Sequence, residues 1–271
     1  MRKLLILVAI LAATPAWGGR GATFDSIMSA LASRNADVIA SELERAERLV
    51  CARCVGPIME LLDDDDYRVR EAAAWWFARR PVLAAAITMQ SIPLLQGTDA
   101  VAAAHAADVV GTFRHPGVLP VLAAALARTD FPGATKVALV RAVGTIGDPA
   151  GLPAVVGTFA DAAPEARAEA IRAYDNLRGP RTGGELTSLL GDGDVGVRRV
   201  ATAAIAQFKV ADARAALEGL LAADPDPFVR RNAAFALVKL GGSRDALQRA
   251  ADGDAIMFVR SVAKAGLAGP R

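Results

Sequence analysis

The sequence predicts an all-α chain, a solenoid of about seven stacked helix pairs behind an N-terminal helical cap. Three observations lead there. A short pattern returns about every thirty residues along most of the chain. The composition is 53% hydrophobic but only 5% aromatic, and it is rich in alanine, which has the best helix propensity and lets helices approach closely. No stretch alternates β-branched and polar residues, so almost no strand is expected.

The repeat is clearest at 224–242, DPDPFVRRNAAFALVKLGG. A turn leads into a helix opened by Val229 and Arg230, carrying Ala233, Ala234 and Ala236 and closed by Leu240-Gly241-Gly242. Aligned on Val229, the counterparts are Val69, Ala102, Thr135, Ala166, Val197 and Val259, at spacings of 33, 33, 31, 31, 32 and 30 residues. Self-similarity at this period marks stacked helix pairs, each too small to bury its own apolar face. Gly144-Thr145-Ile146 also echoes Gly111-Thr112-Phe113. The copies around Ala102 and Ala166 are degenerate and are placed by spacing.

The motif D-x-x-V-R-x-x-A stands at 66–73, 194–201 and 226–233. It resembles HEAT repeats, specifically the short kind also seen in bilin-lyase-like proteins, from about Val55 to the C-terminus. The resemblance implies a right-handed solenoid whose second helices form a concave face. It carries no lyase chemistry, because HEAT arrays host many functions.

In chain order, residues 1–18 read as a secretory signal peptide: Arg2-Lys3 form the charged start and residues 4–13 the apolar run. Cleavage after Ala16 or Gly18 is expected. The alternative, an uncleaved anchor, needs an apolar run of about 20 residues. The mature chain is expected in the periplasm or outside the cell, with no membrane span. Residues 19–54 form the cap, with helices over 24–33 and 36–50, and residues 55–271 the repeat array. First helices are expected at 55–62, 87–95, 119–126, 152–159, 185–190, 213–221 and 244–251, and a last helix at 256–267. Pro120 and Pro153 fall in first turns, where a missing N–H costs nothing. Gly147-Asp148-Pro149 and Gly241-Gly242-Ser243 stop second helices.

Charge excludes little. The formal net charge is +2, and removing Arg2 and Lys3 brings it to balance, so no overall field favours nucleic acid or an anionic membrane. The residue after each anchor is basic in most copies: Arg70, Lys136, Arg167, Arg198, Arg230 and Arg260. These read as an internal ladder in which an arginine forks onto its own helix-capping aspartate or the neighbouring turn; the other reading is a basic row for an anion. The acidic run 63–66 reads as a turn capping the next helix. Calcium, the alternative, is met here without the glycine and terminal glutamate of an EF-hand loop.

Cys51 and Cys54 are the only cysteines, and in an oxidising compartment they are expected to form a disulfide. They read as a structural clip. The alternative is a periplasmic thiol–disulfide oxidoreductase, although no βαβ setting surrounds the pair. His105 and His115 lack the following glutamate of the His-Glu pairs that hold iron in deoxyhypusine hydroxylase, a HEAT-repeat enzyme. No cofactor or metal is implied, and no catalytic motif stands out.

The leading function is therefore a non-catalytic scaffold binding a protein or peptide. Its candidate residues sit six and ten positions after the anchors, where the core's demand for small apolar side chains lapses: Trp75, Arg79, Asp108, Arg141, Arg172, Phe235 and Lys239. Tryptophan and arginine are favoured interface anchors. Trp76 is expected inside, and Trp75 either faces a partner or packs on the cap.

Overall fold

A computed structural model describes residues 21–268. The expectations for 1–20 and for the last three residues fall outside the described residues. Among the described residues the chain is helical without strands. No helix among them is long and apolar enough to cross a membrane. The described residues form two compact units, divided between residues 90 and 91.

The first unit contains α1 (Phe24–Ala32), α2 (Ala36–Arg45), α3 (Ala52–Glu60), α4 (Tyr67–Ala78) and the start of α5 (Pro81–Gln96). Thr23 opens α1 with a capping box and Asn35 caps α2. Helix α2 stops at Arg45, short of the expected 50, and the carbonyls of the segment that follows it, Ala46, Glu47 and Leu49, need donors. Two side chains of the next helix pair supply them. Trp76 Nε1 donates to the Ala46 carbonyl at 3.2 Å, and Arg80 Nη2 donates to the Glu47 and Leu49 carbonyls at 3.2 and 2.9 Å. Trp76 is fully buried, as its place in the pattern requires. Arg80 lies 3.3 Å above its ring, and burial pushes the guanidinium down to about 10, which leaves it charged at neutral pH. Asp64 accepts from the Asp66 N–H, and Asp66 caps α4, so these two members of the acidic run close the turn and open the helix.

The second unit takes in the rest of α5, then α6 (Ala100–Phe113), α7 (Leu119–Leu126), α8 (Gly133–Ile146), α9 (Leu152–Thr158), α10 (Pro164–Asn176), a 3-10 segment (Gly184–Gly191), α11 (Val195–Phe208), α12 (Arg214–Ala223), α13 (Pro227–Leu240), α14 (Arg244–Gly253) and α15 (Met257–Ala268). Two first-helix expectations change. The helix expected at 87–95 begins at Pro81, because proline with no N–H to lose starts a helix well. The one expected at 185–190 is 3-10 instead of α. It follows the glycine-rich connection 179–184, and only a short apolar stretch, Leu186, Leu189 and Leu190, is buried.

Consecutive second helices pack directly: α6 on α8, α8 on α10, α10 on α11, α11 on α13 and α13 on α15. Glycine sets the closest approaches. A Cβ on Gly111 would lie 2.8 Å from Ala142 Cα, and one on Gly144 would lie 2.7 Å from Ala173 Cα. The echo of Gly-Thr at 33 residues is thus a repeated backbone contact. The core between the helix layers is made of Leu122, Leu139, Ile171, Ile205 and Leu237, among others, all essentially inaccessible to water.

Candidate functional site

Two side-chain rows run across the second helices of the second unit, one structural and one open to solvent. The structural row is the ladder. Arg167 grips Asp192 with both Nε and Nη2 at 2.7 Å, while its Nη1 donates to the Asp161 and Ala162 carbonyls of its own turn at 2.7 and 3.1 Å. Arg198 repeats this with Asp224 and the carbonyls of Asp192 and Gly193. Arg230 repeats it with Asp254 and the carbonyls of Asp224 and Pro225. Lys136 pairs with Asp161 in the same register.

Each rung ties one repeat's helix start to the next repeat's turn. The planar fork of arginine suits this two-sided grip. The fork onto its own cap does not occur: Asp194 and Asp226 instead accept the N–H groups of Val197 and Val229. The guanidinium of Arg167 holds the Asp192 carboxyl below the usual carboxylate range, and Arg230 does the same for Asp254. At the degenerate copy the ladder position is Ala103, and Arg128 substitutes by gripping Asp130 and reaching the Gly97 carbonyl. In the first unit Arg70 donates to the Asp64 and Asp65 carbonyls. The basic row is thus engaged within the fold.

The predicted interface residues divide between the units. Trp75 and Arg79 belong to the first. Trp75 is half-buried with the Arg79 guanidinium 4.5 Å from its ring centre, and Arg79 is also paired with Glu47 at 3.0 Å. In the second unit, Asp108 and Arg141 do not line an open face. The Asp108 carboxylate is 1% exposed and Arg141 reaches it at 2.6 Å across one repeat. A buried carboxylate needs such a partner, which makes this pair a packing element. The hydroxyls of Thr112 and Thr145, in the same rows, turn back onto the carbonyls of Asp108 and Arg141.

From α10 onward the face opens. Arg172, Asn176, Ala203, Gln207, Phe235 and Lys239 are all exposed. Arg172 pairs with Glu169 on its own helix, and Gln207 donates to the Asp175 carboxylate of the preceding repeat. Phe235 is 48% exposed, a large apolar ring standing in water, with Lys239 Nζ 5.3 Å from its centre.

Two residues on the same helix face lie outside the rows chosen from the sequence. Phe228 is 45% exposed, stacked on Phe258 at 5.3 Å, with the Arg199 guanidinium 4.8 Å from its ring. Arg231 is exposed beside it. The spacing 228, 231, 235, 239 follows the helical period, so extending the stripe from Phe235 toward the helix start reveals both. Arg199 is less available than its position suggests: it grips Asp226, whose carboxyl it lowers to about 2.

Cys51 and Cys54 are joined by a disulfide, S–S 2.01 Å. Cys51 stands at the N-cap of α3, partly exposed, and Cys54 is fully buried. His115 accepts from the Gly117 N–H in a turn, and His105 is buried in α6. The described residues contain no His/Cys/Asp/Glu cluster able to hold a metal.

A comparison with curated proteins gives no match. Among solved structures, the chain is similar to the Escherichia coli protein YibA, with 16% identity, TM-score 0.54, and coverage of 90% of this chain and 92% of that one. It is also similar to an engineered protein, with 21% identity, TM-score 0.53, and coverage of 89% and 76%. The CpcE–CpcF complex of phycocyanin lyase from a Nostoc species matches at 18% identity, TM-score 0.39, and coverage of 95% and 100%. The family model for HEAT repeats matches residues 90–181 and 184–268, and a HEAT-repeat model matches 48–79. With the period, the ladder and the family-model matches over 90–181 and 184–268 in agreement, the chain belongs to the HEAT-repeat family.

Proposed function

We propose that this protein is an exported, non-catalytic scaffold that binds a protein or peptide on the open face of its second helices. The observation that carries this is Phe235, 48% exposed on a helix whose adjoining residues Ala233, Ala234, Ala236 and Leu237 are completely buried on its other side. An exposed aromatic ring with a cation above it is the kind of group that anchors protein interfaces. Arg172, Asn176 and Gln207 extend the face along α10 and α11. Trp75 and Arg79 offer a second, smaller aromatic–cation pair in the first unit. Export is supported by the apolar run at 4–13 after Arg2-Lys3 and by a disulfide, which persists in oxidising compartments. N-terminal sequencing of the mature protein is expected to begin after Ala16 or Gly18.

The test is capture of partners from the native envelope fraction with wild type and with Phe235→Ala/Arg172→Ala as bait, matched by circular dichroism. Loss of a partner with the variant supports the face. A partner retained equally by both places binding elsewhere and removes this reading.

A second reading has one observation in its favour. Cys51 is the partly exposed N-cap of α3 and Cys54 lies buried in its first turn, an arrangement that lowers the pKa of the leading thiol in dithiol oxidoreductases. A reduction potential below about −300 mV, the range of structural disulfides, together with inert behaviour toward insulin, would leave the bridge as a clip only.

A further inference from the structure

Helix α13 presents one continuous solvent-facing stripe in which aromatic and cationic side chains alternate: Phe228, Arg231, Phe235 and Lys239, all exposed. The two cations differ from the others nearby. Arg199 is held by Asp226 and Arg230 by Asp254. Arg231 reaches only the Asn232 side-chain oxygen and the Phe228 ring, and Lys239 only the Phe235 ring. Neither has a carboxylate partner among the described residues. The flanking helices α11 and α15 place alanines, Ala203 and Ala265, in the register of Phe235, and both are exposed. The ring therefore stands between two low positions, with room for an apolar side chain against it.

Resting on the reading above, we infer that the occupant of this stripe is an extended peptide segment carrying two acidic side chains around an apolar one. The spacing defines it. Arg231 and Lys239 are eight residues apart, about 12 Å along a helix rising 1.5 Å per residue. An extended peptide advances roughly 3.3 Å per residue with alternate side chains on one side, so about four of its residues span that distance. The matching pattern is acidic–x–apolar–x–acidic: the carboxylates meet Arg231 and Lys239 while the central side chain packs on Phe235. A basic peptide is repelled at both ends. A nucleic-acid strand is less suited: a ring can stack a base, but such sites also track the backbone with a positively charged groove, and here Arg199 and Arg230 are held by Asp226 and Asp254, which leaves two cations on the stripe.

The test is a random-peptide display selection on the full mature chain, followed by fluorescence anisotropy of the enriched peptides and of a labelled oligothymidine. The targets are wild type, Phe235→Ala, Arg231→Glu and Lys239→Glu. All three side chains are exposed, so the variants are expected to fold as wild type does, which circular dichroism checks. The expected result is enrichment of the acidic–x–apolar–x–acidic pattern, with binding weakened about tenfold or more in each variant, a readily resolved difference. Enriched peptides that need Phe235 but lack acidic residues, or that bind the charge-reversed variants equally, overturn the inference while leaving the binding face in place. Peptides indifferent to Phe235→Ala overturn both. Tighter binding of oligothymidine than of any peptide, or a selection that enriches nothing, overturns the inference as well.

Discussion

At the level of single residues, burial separates groups that the sequence makes look alike. Gly144 and Gly219 are both helix glycines, yet their surroundings differ. A Cβ on Gly144 meets Ala173 backbone at 2.7 Å, whereas one on Gly219 meets nothing within 4 Å. Gly144→Ala is expected to destabilise by about 1–3 kcal/mol through overpacking. Gly219→Ala is expected to stabilise by about 0.5–1 kcal/mol through helix propensity. Urea unfolding of the two variants checks both signs, and equal effects would contradict the close approach of α8 and α10. Asp108 and Phe235 make the same point for the site. Both stand six positions after an anchor, but one is a buried ion-pair partner and the other an exposed ring. Register in the repeat is legible in sequence; which register positions remain open depends on what the neighbouring repeat places opposite them.

Between elements, the ladder converts a sequence motif into register. Arg198 holds Asp224 of the following turn, not Asp194 four residues before it. A double-mutant cycle between Arg198 and Asp224 is expected to show strong coupling, and one between Arg198 and Asp194 much less. Arg198→Met alone is expected to cost about 2–3 kcal/mol, because it leaves a nearly inaccessible carboxylate unpaired. Equal coupling to both aspartates would remove the inter-repeat assignment. The disulfide acts on a smaller scale. It closes a short loop, residues 51–54, for which the chain-entropy relation gives about 2 kcal/mol. Reduction is therefore expected to lower the midpoint of unfolding modestly, read by parallel denaturation with and without dithiothreitol.

Across the molecule, repeated arginine–aspartate rungs tie stability to acid. The carboxyls of Asp192, Asp226 and Asp254 titrate below their usual range because arginines hydrogen-bond their charged forms. A folded-state pKa below the unfolded value near 3.9 means that this contribution is complete above about pH 4. It is lost as pH falls through the folded values, toward about 2 for Asp226. Thermal unfolding across that window is expected to show the midpoint dropping steeply below pH 4, and the drop should shrink in Asp226→Asn. A flat profile from pH 5 to 2 would show that the rungs contribute nothing to folding.

The sequence alone determined the all-α class, the period, and most helix positions, because helix propensity, apolar spacing and turn residues are local properties that repeat with the structure. The helix at Leu119–Leu126 was legible to the residue, and Trp76 was legible as core. It also made the cysteine pair readable, since two cysteines three apart have one partner each. The start of α5 at Pro81 carries a local signal, proline at a helix start, that the apolar spacing over 87–95 does not show; the 3-10 form of Gly184–Gly191 was not legible, because it depends on how much apolar surface its neighbours offer. Only the tertiary structure decided which aspartate each arginine holds, that Asp108 and Arg141 neutralise each other, and that Phe228 and Arg231 join Phe235 and Lys239 on one open stripe. Those outcomes are set by which side chains from repeats some thirty residues apart reach one another, and by which are left facing water.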